Sequence, residues 1–186
     1  LGAPLKTYFA EQAEEHWGLR RFHGNVTCPV CIQTGWWDRF SLSYSHYTGL
    51  RENGPEELAD QHRLIIGPWP HFPMNYRRDI GPVDYGPTAD AFYPDIVGDW
   101  YDLRFKGRAA GFAEGLPVQL FILNDGWRGF SDWPPPAAVE TPLYLSSGGQ
   151  ANTPAGDGAL AWEAPGEETP DTYTYDPADP VMSLMG

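Results

Sequence analysis

The sequence predicts an α/β fold in which strands of a largely parallel sheet alternate with crossover helices. Three observations carry this reading. Nearly continuous apolar runs, "VTCPVCIQTG", "HRLIIGPW" and "LPVQLFIL", recur along the chain, as strands covered on both faces do. Segments with helical spacing of apolar residues lie between them, which is the order of strand–helix–strand units. Glycine and proline number 21 and 19 in 186 residues, so the elements must be short and the turns many.

Taken in order, residues from Leu5 to about Trp17 read as a modest helix with Glu11, Glu14 and Glu15 on its wet side. Val26 to Gly35 reads as the first buried strand. Ser41 to Arg51 reads as a helix, with Leu42, His46 and Leu50 spaced four apart. A polar turn segment, "ENGPEELADQ", leads into the second strand, "HRLIIGPW". The next helix runs from Pro94 to Lys106; proline suits its first turn, and Phe92, Ile96, Trp100 and Leu103 form one apolar stripe that Gly107 ends. Leu116 to Leu123 is the third strand. Beyond Gly126 the character changes: "WRGFSDWPPP" reads as a rigid aromatic loop. "TPLYLSS" and "DTYTYDP" read as short antiparallel strands separated by the Gly-, Ala- and Thr-rich stretch from Gly148 to Ala159.

Composition narrows the function classes. Twelve basic against 25 acidic residues give a net charge of −13, which argues against nucleic acid or an anionic membrane surface as partner, because both need clustered Lys and Arg. No apolar stretch approaches the roughly 18 residues of a membrane-spanning helix. The opening residues show no signal peptide, although the chain begins on Leu1; the compartment stays open, with the cytoplasm slightly favoured. The only cysteines, Cys28 and Cys31, form "CPVC". Inside a strand, side chains three apart point to opposite faces. No second ligand pair completes a zinc site, so the two read as small buried thiols. No metal or cofactor is expected.

The stretch "GWWDRF" places Asp38 beside Trp36 and Trp37, and a carboxylate there must be solvated or paired. His71 follows the second strand in "GPWPHF". In a parallel sheet the carboxyl ends of adjacent strands lie side by side, so the spacing allows Asp38 and His71 to meet. Asp38 would then fix the imidazole tautomer and stabilise the imidazolium formed when the other nitrogen takes a proton. On spacing alone the plainer readings, a surface histidine and a turn-capping aspartate, are favoured.

Six blocks in order, "GWWDRF", "RLIIGPWPH", "WYDLRFKG", "GWRGFSDWPPP", "PLYLSSGG" and "YDPADPV", resemble the cocaine esterase/X-Pro dipeptidyl-peptidase-like (CocE/NonD, peptidase S15-like) serine hydrolases. The resemblance runs from about Trp17 to the end. It implies the second half of an α/β-hydrolase core, with the end of a helical cap over residues 1–25, the core half over 26–136, and β segments leading into a cut-off jelly-roll domain over 137–186. It also implies that Asp38 and His71 are the acid and base of a catalytic triad. The family's serine sits on a Gly-x-Ser-x-Gly elbow upstream of the cap, and this chain holds no such elbow. Ser131 in "GFSDW" is a half match, and Ser146 and Ser147 lack the leading glycine. The family's oxyanion tyrosine has no match in Tyr44 or Tyr47.

The expectation is therefore a piece of a longer serine hydrolase, inactive alone, acting on a small-molecule ester, amide or peptide substrate through an acyl-enzyme. Esterase, acylase and X-Pro dipeptidyl-peptidase activities stay open, as does a homo-oligomeric parent. Trp36, Trp37 and Trp69 are candidate lining for an apolar acyl pocket, with core packing against neighbouring helices at least as good a reading. Arg39, Phe40, Ser41 and Leu42 follow Asp38; the acidic pair that related α-amino acid ester hydrolases carry there to hold an ammonium is missing. Asp79 and Asp84 read as structural, with Arg77 and Arg78 as charge partners. The alternative is a non-catalytic α/β binding or structural module.

Overall fold

The computed structural model describes residues 20–38, 43–71, 75–76, 78–153 and 155–180. The helix expected over Leu5–Trp17 lies outside them, as do Arg39–Leu42 and Arg77. The chain divides between Pro136 and Ala137 into two compact units.

In the first unit the main sheet has the order β1 (Cys31–Gly35), β2 (Arg63–Gly67), β7 (Val118–Ile122), β8 (Gly126–Phe130). β1 pairs with β2 and β2 with β7 in parallel, while β8 returns antiparallel to β7. The first strand is shorter than expected because Pro29 lacks an N–H and restricts the residue before it. Val30 N–H turns instead to His62 Nδ1, 3.1 Å away. Cys28 thus lies ahead of the strand and is exposed rather than buried; Cys31 is half-buried, and both are free thiols. Burial pushes the Cys31 thiol up to about 12, against a smaller opposing pull from Arg63.

Alternation along β2 builds a core on each face of the sheet. Leu64 and Ile66 pack with Val118, Leu120 and Tyr47, which comes from helix α1 (Ser43–Asn53). Ile65 points the other way and packs with Trp69 and with Ile96 of helix α2 (Tyr93–Lys106). Coverage on both faces is why β2 reads as a continuous apolar run. Of the stripe expected on α2, Ile96 and Trp100 are buried and Leu103 is half-buried. Gly107 stops the helix at φ +64, its N–H donating to Leu103 O. Arg51 ties α1 to its surroundings by donating to Ala59 O and pairing with Asp60 and Asp132.

Between β2 and α2 the chain makes two small ribbons, β3 (Asn75–Tyr76) with β6 (Ala91–Phe92) and β4 (Asp79–Ile80) with β5 (Val83–Asp84). Arg78 pairs with Asp84 at 3.3 Å, a structural role for that carboxylate.

The segment expected to be a rigid loop after Gly126 begins instead as strand β8, which takes in Trp127–Phe130, while residues 131–136 form no strand. The turn before it holds Asn124 at φ +67 and Gly126 at φ +98, the left-handed positions that a tight hairpin requires.

In the second unit β9 (Tyr144–Ser146) pairs with β10 (Ala159–Ala161), antiparallel. The partner of "TPLYLSS" therefore comes from the end of the Gly- and Ala-rich stretch. "DTYTYDP" forms no strand, and Tyr173 and Tyr175 are exposed. The loop after β9 is pinned by carboxylates: Asp157 accepts from Gly148 and Gln150 N–H, and Asp171 from Ala151 N–H. Among the described residues no helix is long and apolar enough to cross a membrane.

Candidate active site

Asp38 and His71 are delivered by equivalent exits from adjacent parallel strands. Gly35 and Gly67, the last residues of β1 and β2, are register partners. The ladder continues one step past β1, with Trp36 N–H donating to Gly67 O at 2.9 Å. The chain then turns, Asp38 N–H donating to Gly35 O at 3.0 Å and Trp37 N–H to Trp69 O at 3.2 Å. Both glycines are needed for close approach: a Cβ on Gly35 would overlap the Trp69 carbonyl, and one on Gly67 would overlap the Trp69 indole.

The two side chains meet. His71 Nδ1 lies 3.1 Å from Asp38 Oδ1 and 3.2 Å from Oδ2. The Thr34 hydroxyl faces Oδ2 from β1 at 3.5 Å. The Asp38 side chain is 11% exposed and that of His71 44%. The carboxylate is thus shielded while the imidazole reaches solvent. An aspartate on Nδ1 selects the tautomer that carries a proton there and leaves Nε2 unprotonated. Chemically, the pair can take a proton at Nε2 and hold the resulting imidazolium.

The three tryptophans do not share one surface. Trp36 and Trp37 are each 37% exposed. The Trp36 indole N–H donates to Phe121 O at 2.6 Å and its ring leans on Trp133; the Trp37 ring stacks on Tyr85. Trp69 corrects the pocket reading. It is fully buried, packed against Ile65, Ile96, Phe112 and Trp127, with its N–H on Ala89 O at 2.6 Å. A ligand cannot touch that ring without unpacking the core.

The serines and tyrosines weighed from the sequence have their own local settings. Ser146 and Ser147 donate to Glu168 and Asp171 at 2.6 Å each, which commits both hydroxyls to the second unit's own loops. Ser131 follows the end of β8. Tyr47 is fully buried in the core, where burial raises its hydroxyl pKa, and Tyr44 packs against the same cluster and Trp133. Among the described residues no three metal-ligating side chains gather.

A carboxylate and an imidazole meet here at the carboxyl ends of neighbouring parallel strands, the edge of the sheet where α/β proteins commonly bind ligands. The chain belongs to the cocaine esterase (CocE/NonD) family. It is 36% identical over 168 residues to cocaine esterase from Rhodococcus sp. (strain MB1 Bresler), an alignment covering 88% of this chain and 28% of that protein. In three dimensions it is similar to an aminopeptidase from the marine sediment archaeon Thaumarchaeota archaeon, with a TM-score of 0.60 and 22% identity over 93% of this chain and 29% of that one. No family model matches the chain. The chain spans less than a third of the length of either relative.

Proposed function

We propose that this chain supplies the acid and base of a serine hydrolase that cleaves ester or amide bonds through an acyl-enzyme. The observation that carries the reading is the Asp38–His71 contact on the carboxyl edge of a parallel sheet. It is supported by identity to a cocaine esterase. The nucleophilic serine is assigned to sequence of the longer polypeptide that precedes this chain. In this reading residues 1–25 end a helical cap, 26–136 are the second half of an α/β-hydrolase core, and 137–186 lead into a jelly-roll domain.

The chemistry follows from the geometry. His71 Nε2 takes the serine proton as Oγ attacks the substrate carbonyl, and Asp38, accepting from Nδ1–H, stabilises the imidazolium. The proton passes to the leaving alcohol or amine as the acyl-enzyme forms, and water repeats the cycle in reverse. Trp36 and Trp37, both partly exposed, are assigned to border an acyl group. Because the nucleophile is supplied from outside these residues, the 186-residue chain alone is inactive; ester, acyl-amide and X-Pro dipeptide substrates are all compatible with it.

A fluorophosphonate probe on the full polypeptide tests the proposal. One covalent adduct on a serine N-terminal to this chain is expected, lost in His71→Ala. Labelling that survives His71→Ala at the parent rate would exclude His71 as the base.

A further inference from the structure

We infer that Trp36 is a positioning residue for the Asp38–His71 pair, acting as a strut across the carboxyl ends of three strands; the inference rests on the triad reading above. The argument starts from register. Leu64 N–H donates to Pro117 O, and in a parallel ladder the same donor–acceptor relation recurs every second residue. Continuing the pairing Leu64↔Val118, Ile66↔Leu120, the next acceptor on β7 is the carbonyl of Phe121 and its donor would be the N–H of residue 68. Residue 68 is proline and has none.

The vacancy is filled from β1. Trp36 reaches over the tip of β2, and its indole N–H donates to that carbonyl at 2.6 Å, while its own backbone N–H donates to Gly67 O. One residue therefore holds β1, β2 and β7 at the level where the chain departs for the site. Asp38 is two residues beyond Trp36, and His71 three beyond Pro68. Pro68 lets β2 leave the sheet toward His71, and Trp36 restores the bond that the departure removes. Phenylalanine at position 36 would keep a ring against Trp133 and lose the bond.

The experiment uses the full polypeptide and the rate of serine phosphonylation by a fluorophosphonate, in which the Ser Oγ–P bond forms, fluoride leaves and His71 takes the hydroxyl proton. Trp36→Phe is expected to lower the maximal labelling rate between about tenfold and a hundredfold, because a small misplacement of the pair acts on the chemical step. A strut that works through Asp38 adds nothing once Asp38 is gone. The double variant Trp36→Phe/Asp38→Asn should therefore label at the rate of Asp38→Asn alone, the non-additivity of a shared unit. Trp36→β-(3-benzothienyl)alanine, which keeps the shape and lacks the N–H, gives the same test should Trp36→Phe fail to fold. A slowed Asp38→Asn beside a full-rate Trp36 variant overturns the strut and leaves the triad. Additive slowing in the double variant also overturns it. A full-rate Asp38→Asn removes the triad reading and the strut with it.

Discussion

His71 Nδ1 lies almost equally far from the two oxygens of Asp38, at 3.1 and 3.2 Å, so the imidazole faces the carboxylate as a whole. Replacing one oxygen by an amide nitrogen keeps the shape and removes the unambiguous acceptor. In the full polypeptide Asp38→Asn should fold normally and lose about 10⁴ in kcat, as when other triads lose this carboxylate. Steady-state hydrolysis of an activated ester checks this; a rate within tenfold of the parent would remove Asp38 from the mechanism.

His62 is fully buried and accepts from Val30 N–H, while its Nε2 has no hydrogen-bond partner among the described residues. Burial, and then the charges of Arg51 and Arg104, hold its pKa below the ordinary 6.5. The unfolded chain therefore binds this proton more readily than the folded one, so stability falls as pH drops below about 6.5 and is insensitive to this group above it. Denaturant midpoints between pH 5 and 8 should show that fall. His62→Gln should flatten it while lowering stability at pH 8.

The two cysteines should separate in reactivity. With its thiol at about 12, Cys31 is only about one part in 10⁴ thiolate at pH 8, and the thiolate is what alkylates. Cys28 is exposed and open to a reagent. Brief iodoacetamide treatment should give one adduct by mass spectrometry, lost in Cys28→Ser. Rapid double labelling would contradict the burial of Cys31.

Two glycine substitutions should act in opposite directions. Gly67→Ala forces a methyl into the Trp69 indole, and overpacking of this kind costs about 1–3 kcal/mol. Gly98 lies within α2, exposed, with open space where a Cβ would stand. Gly98→Ala should stabilise by about 0.5–1 kcal/mol. Urea unfolding of both variants checks the pair of signs.

The parallel strands, both long helices within the described residues and the Asp38–His71 encounter were legible because each rests on a local pattern: an apolar run, a helical stripe, or short offsets past two strand ends. β8 was overlooked because its burial is partial and its short run holds two glycines, although the Asn-Asp-Gly turn before it was a hairpin signal. "DTYTYDP" shows the reverse error, since alternation marks a strand only where a partner pairs with it. Trp69 and Trp36 could not be told apart by type. Separating them took the sheet: one indole is packed on Gly67 beneath the turn, and the other spans to Phe121.

The separations along the chain set an order on assembly. Asp38 and His71 are 33 residues apart, with helix α1 and strand β2 between them, whereas Trp36 and Phe121 are 85 apart. Closing the longer span costs about 0.8 kcal/mol more chain entropy, and contacts distant in sequence form slowly. During folding the acid and base can find one another first, and the geometry of their meeting becomes fixed only when β7 arrives.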